Sequence, residues 1–134
     1  MQATNEECSI SFNLMEMAVV FYSFQVGPAV ADIKQKDSGL NITDLSCDLT
    51  DFSRTADLID QMDLMISVDT AVAHLSGALG KRIWMIIPAI PDSRWAISGR
   101  KTDWYPEMRI YRQEIPGDWE TVLMEVENDL TCMQ

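Results

Sequence analysis

Asp69, Thr70 and His74 are the residues whose types and spacing best suit chemistry. They stand in the stretch Leu64-Met65-Ile66-Ser67-Val68-Asp69-Thr70-Ala71-Val72-Ala73-His74-Leu75-Ser76-Gly77-Ala78-Leu79-Gly80-Lys81. A short apolar run, a polar pair and a run of small residues closed by glycine read as strand, turn and helix. Such a turn aims free backbone N–H groups and the positive end of a helix dipole at whatever lies above the strand, and phosphate suits that place. Thr70 adds a hydroxyl beside the N–H groups of Ala71 and Val72, a set fitted to a diphosphate oxygen. Asp69 has two readings. It can cap the helix by accepting from the N–H of Ala71 or Val72, an interaction of about 1 kcal/mol, or it can meet a ligand at the carboxyl end of a parallel strand. His74, the single histidine, follows Thr70 by four residues and shares its helix face. Its readings are a packed, hydrogen-bonded ring, or a hydrogen bond to phosphate or to the capping turn. Ser76, Gly77 and Ala78 are small enough to let this helix pack close to a sheet.

Other residues could line the same crevice. Gln25 and Gly27 sit where the first strand ends, and Gln25 could reach ribose hydroxyls or stand as an exposed loop amide. Asp51 and Phe52 open another helix, where a base could lie against Phe52 or where Phe52 could belong to the core. Arg94, Arg100 and Lys101 are cations among aromatics, fitted either to phosphate or to offsetting an acidic surface. No Gly-x-Gly-x-x-Gly, P-loop or Gly-x-Ser-x-Gly occurs, and the scattered carboxylates assign no acid–base pair.

The elements that must position these groups follow from the apolar pattern. Ala18–Phe24 is β-branched and aromatic and reads as a buried strand. Pro28 fits the first turn of a short helix over Ala29–Lys36, and Leu40–Leu45 is a short strand. Asp51 or Ser53 caps a helix to about Met62 with Phe52, Ala56, Ile59 and Met62 on one face. Asp63–Val68, Ile83–Ile87 and Met108–Arg112 are further strands, with Thr70–Leu79 a helix between the first two. Pro88–Pro106 is a long loop rich in proline and aromatics, and long loops in compact domains are often functional. Asp118 caps a last helix with Trp119, Val122, Leu123, Val126 and Leu130 at helical spacing. Continuous apolar strands alternating with helices predict an α/β domain: a mainly parallel sheet with helices on both faces. Residues 1–9 are expected to fray, and 10–134 to form the domain, with Ile10–Met17 a helix leading into the first strand.

Composition limits the partners. At 134 residues and 47% hydrophobic, the chain suits one folded domain. A net charge of −11 excludes nucleic acid while leaving room for a small phosphorylated ligand. No run approaches the roughly 20 apolar residues of a membrane span, and Met1–Glu7 lacks the marks of a signal peptide, so cytoplasmic residence is expected. Cys8, Cys47 and Cys132 are odd in number and far apart; with one histidine they build no zinc site and read as free thiols.

Ser67–Leu75 followed by Gly77–Lys81 resembles the nucleotide-sugar motif of heptosyltransferase-like glycosyltransferases (family 9, GT-B fold). The branch carrying this domain behind tetratricopeptide repeats in bacterial proteins is the most similar. Phe21–Pro28, Thr50-Asp51-Phe52, Asp57-Leu58-Ile59, Trp104-Tyr105-Pro106-x-Met108-Arg109 and Gly117-Asp118-Trp119 keep the family's order, so the likeness runs from about Ile10 to Leu130. The resemblance implies the C-terminal, Rossmann-like, donor-binding half of a hexosyl- or heptosyl-type glycosyltransferase that needs no metal. It implies donor contacts at Asp69, Thr70, Ala71 and Val72 with His74 nearby, and a nucleotide flanked by Gln25, Gly27 and Phe52. The chain departs from the family pattern at Ala71 (commonly Gly), Val26 (often Lys) and Ser93 (often Trp). The half that supplies the acceptor site and a general base is not in the sequence, nor is the strand that normally opens this half. The catalytic residue is therefore left open, and an acceptor domain, with or without tetratricopeptide repeats, is the expected partner. The alternative is a non-catalytic binding or interaction module derived from such a domain. A flavodoxin- or dehydrogenase-type nucleotide binder shares the layer pattern but lacks its glycine fingerprint here.

Overall fold

Strand β4, Ile83–Ile87, is buried at every position and forms the centre of the fold. Five consecutive large apolar residues are what a strand covered on both faces requires. It pairs in parallel with β3 (Met65–Val68) on one side and β5 (Met108–Arg112) on the other, with Met65 opposite Ile83 and Ile83 opposite Met108. A separate parallel pair joins β1 (Phe21–Ser23) to β2 (Ile42–Asp44). The computed structural model describes residues 19–31 and 41–133. The expected fraying of residues 1–9, the helix over Ile10–Met17 and most of the helix over Ala29–Lys36 lie outside them. Pro28 does sit in a single 3₁₀ turn, Gly27–Ala29.

Helices cover both faces of the larger sheet. Helix α1 (Phe52–Asp60) and α2 (Ala71–Ala78) place Ile59 and Ala73 in a core with Met65, Ile83, Met85, Ile87, Trp95, Met108 and Ile110. On the other face α3 (Trp119–Cys132) brings Val122, Val126 and Leu130 against Trp84, Ile86 and Tyr111. Alternate residues of β4 and β5 thus supply two cores, as the period of a strand dictates. The fold is the expected α/β, Rossmann-like arrangement, but its parallel ladder is split in two. Phe21 packs against the α3-side core and Phe24 against the α1/α2-side core, so side chains tie the smaller sheet to the larger.

Capping follows the sequence at two helices and departs from it at one. Asp51 accepts from the Arg54 N–H at 2.8 Å and Asp118 from the Thr121 N–H at 3.2 Å. At α2 the cap is Thr70 rather than Asp69: Thr70 Oγ1 accepts from the Ala73 N–H. Two burial expectations also change. Phe52 is 69% exposed, because α1 turns Thr55, Leu58 and Ile59 inward instead. Strand β1 is shorter than expected and half-covered, with Val20 and Tyr22 facing out. Among the described residues no helix is long and apolar enough to cross a membrane.

Candidate functional site

The turn from β3 into α2 is built from its own hydroxyls. Ser67 Oγ donates to the Val68 carbonyl at 2.8 Å. Its proton is thereby used, so the 3.1 Å contact between Ser67 Oγ and Thr70 Oγ1 is a bond that Thr70 donates. Thr70 Oγ1 in turn accepts from Ala73, and the Thr70 carbonyl accepts from the His74 N–H. The N–H groups of Ala71 and Val72, in the first turn of α2, have no carbonyl within the helix to bind and point outward beyond the end of β3. Relieved of the capping role, the Asp69 side chain is free to turn toward the loop.

There it meets three residues. Asp69 Oδ1 lies 2.7 Å from His74 Nε2, and Oδ2 accepts from Trp95 Nε1 at 2.9 Å. Arg94 reaches the same Oδ2 at 3.5 Å while its Nε donates to Asp92 at 3.0 Å. His74 is engaged at its second nitrogen as well, with Nδ1 2.9 Å from the Tyr105 hydroxyl. The imidazole stacks on Trp95 at 5.6 Å between centroids and meets Tyr105 edge-on at 5.8 Å. The imidazole is thus hydrogen-bonded at both nitrogens and joined through Asp69 to the turn before α2.

Trp95, Arg94 and Tyr105 come from the loop that follows β4, which is fastened at several points. Asp92 caps a 3₁₀ turn, Ser93–Trp95, by accepting from the Arg94 N–H. That bond, with the bond from the Arg94 side chain, holds the Asp92 carboxyl below its ordinary range. Arg112, at the end of β5, donates to the carbonyls of Trp95 at 2.8 Å and Ala96 at 3.0 Å. The carbonyls lie where the guanidinium is partly buried, and that burial lowers its pKa. Gln113 Oε1 accepts from the Ala89 N–H and holds the start of the loop. Ala96 itself sits at φ 54°, ψ −178°, a backbone region that favours glycine, and is held there by these bonds.

The other expected residues lie outside this hydrogen-bonded cluster. Gln25 is exposed, its backbone N–H donating to Ser23 Oγ. Gly27 is exposed in the 3₁₀ turn with φ 74°, and Phe52 stands in solvent at the start of α1. Of the loop cations, Arg94 joins Asp69, whereas Arg100 is drawn to α3, where it pairs with Glu125. Trp95 and Tyr105 are the residues that sequence reasoning missed. They lie 26 and 31 positions from their partners, beyond any local period, and their visible signals are the concentration of aromatics in a long loop and, for Tyr105, its place in Trp104-Tyr105-Pro106.

One of the small residues of α2, Gly77, serves a neighbour other than the sheet. Ser76 is buried and donates back to the Val72 carbonyl, and Ala78 is exposed. Gly77 faces the Tyr105 ring: a Cβ there would stand 2.6 Å from Tyr105 Cγ. The glycine admits an aromatic of the loop, not the sheet.

Two comparisons relate this chain to known proteins. Protein FlbA of Caulobacter vibrioides is 33% identical over 116 residues, which cover 81% of this chain and 18% of that protein. The chain therefore spans less than a fifth of the curated relative it matches. No solved structure matches it. Residues 26–86, which hold the turn of Asp69 and Thr70 and the whole of α2, match the family model of glycosyltransferase family 9 (heptosyltransferase).

Proposed function

We propose that this chain is the donor-binding domain of a glycosyltransferase, taking a nucleoside diphosphate sugar. The observation that carries the reading is the start of α2 at the carboxyl end of β3, inside the matched span, with the N–H groups of Ala71 and Val72 unpaired within the helix and Arg94 reaching the adjacent Asp69. Ligands of open parallel sheets bind at that end of the strands. The two N–H groups and the helix dipole bind diphosphate oxygens, and Thr70 joins them by releasing Ser67. Arg94, whose side chain is nearly half exposed, trades its carboxylate partners for phosphate. These fixed dipoles and one cation stabilise a leaving diphosphate without a metal. Gln25, Gly27 and Phe52 take the nucleotide end of the donor. The acceptor, and the base that activates it, come from another domain, for which tetratricopeptide repeats are one candidate.

Titration with UDP, ADP and their glucose conjugates, followed by amide resonances, tests the reading. Shifts at Ala71 and Val72 are expected, and a spectrum unmoved at millimolar ligand overturns it.

One observation favours a second reading, a non-catalytic module. Both oxygens of Asp69 and both nitrogens of His74 are already engaged within the cluster. Turnover of a sugar nucleotide that depends on Asp69, measured with an acceptor domain supplied, would end that alternative.

A further inference from the structure

We infer that Tyr105 is a positioning residue for the donor site: through His74 it dictates where the Asp69 carboxylate stands. This rests on the donor reading above and extends it to the loop after β4.

A carboxylate is an acceptor only, so the 2.7 Å contact of Asp69 Oδ1 with His74 Nε2 requires a proton on Nε2. In a neutral imidazole Nδ1 is then an acceptor, and the Tyr105 hydroxyl, 2.9 Å away, is its donor. Asp69 thus fixes the Nε2–H tautomer, and Tyr105, donating to Nδ1, fixes the orientation of the imidazole that holds Asp69 Oδ1. Trp95 Nε1 fixes the other oxygen at 2.9 Å. With both oxygens held, the carboxylate leaves the mouth of α2 to its two outward N–H groups. A carboxylate swung over them would occupy the phosphate position and repel the ligand. The ring of Tyr105 reaches this place because residue 77 has no side chain to obstruct it.

Tyr105→Phe keeps the ring over Gly77 and removes only the hydroxyl. The full chain and the variant are compared in two measurements. Long-range proton–nitrogen spectra of His74 report its tautomer without any ligand, and UDP titration reports affinity. The parent is expected to show the Nε2–H tautomer with a hydrogen-bonded Nδ1, and the variant a shifted Nδ1 resonance. UDP affinity should fall about fivefold, the effect of one neutral hydrogen bond of about 1 kcal/mol. Thermal unfolding should stay close to the parent's. Unchanged ring-nitrogen shifts overturn the inference whatever the affinity does, as do changed shifts with unchanged affinity. A parent that binds no UDP, while its His74 shows the expected tautomer, defeats the donor reading and with it the positioning role, but leaves the hydrogen-bond chain standing. Loss of folding in the phenylalanine variant moves the same two measurements to Trp95→Phe. There the Asp69 Oδ2 bond is lost, with reduced UDP affinity expected and parental affinity overturning the inference.

Discussion

Gly77 and Tyr105 occupy one another's space: the aromatic ring lies where any side chain at position 77 would have to be, 2.6 Å from its Cβ. This contact joins the middle of α2 to the end of the loop after β4. It also brings the Tyr105 hydroxyl to His74, one turn before Gly77 on the same helix. The small residues of α2 and the aromatics of the loop, which look unrelated in sequence, are two halves of one arrangement.

Gly77→Ala separates packing from propensity. Alanine favours a helix over glycine by about 1 kcal/mol, so propensity alone predicts a gain. The collision with Tyr105 predicts a loss of about 1–3 kcal/mol instead, the usual range for overpacking. Urea denaturation should give a lower midpoint at an unchanged slope. A raised midpoint would show that the ring moves aside freely.

Thr70 has two tasks, capping α2 and offering a hydroxyl beside the outward N–H groups. Thr70→Ser keeps both and should leave stability and UDP affinity close to parental. Thr70→Ala should cost about 1 kcal/mol of stability and weaken UDP as well. Equal UDP binding by all three proteins would remove Thr70 from the donor site while leaving its capping role intact.

Asp118 is held below its ordinary value of 3.8 by the hydroxyl and N–H of Thr121. A lowered folded pKa contributes stability above the unfolded value, and that contribution disappears as pH falls through the folded one. Asp118→Asn keeps a good cap and should flatten the loss of stability below about pH 4. Asp118→Ala, which has no cap, should be less stable than the parent at neutral pH. Calorimetry across pH 2–7 distinguishes them, and an acid slope identical in parent and asparagine variant would contradict the assignment.

Tyr111 carries the opposite sign. Burial, reinforced by the hydrogen bond its hydroxyl donates to Asp129, raises its pKa well above the ordinary 10.0. The unfolded chain therefore releases the phenol proton first, and stability falls as pH climbs past about 10. Tyr111→Phe should remove that alkaline decline, at the loss of about 1 kcal/mol at neutral pH for the missing bond. Equilibrium unfolding at pH 8 and 11 measures both effects; a decline of the same size in the variant would assign it elsewhere.

Much of the architecture was legible in the sequence because strands and helices have periods that a linear pattern can carry. Ile83–Ile87 shows its two-sided burial as an unbroken apolar run, and β5 has the bounds its residues suggest, Met108–Arg112. Val122, Val126 and Leu130 announce the inward face of α3 at helical spacing. Phe52 was less legible: hydrophobicity alone does not say which of two adjacent faces of a short helix meets the core, and α1 turns Leu58 and Ile59 inward.

At the candidate site, sequence alone determined the frame: a strand ending at Val68, a polar turn, and a helix whose first N–H groups are unpaired by the geometry of helices themselves. Local hydrogen bonding follows from neighbours in the chain. Tertiary structure decided what the side chains do within that frame. Thr70 rather than Asp69 caps the helix, and Asp69 turns to His74 and Trp95. Those choices depend on residues delivered by a loop that Arg112 and Gln113 fasten from the far side of the sheet. Contacts across 26 and 31 positions leave no periodic trace, because their closeness is a product of chain path and packing rather than of backbone repeat.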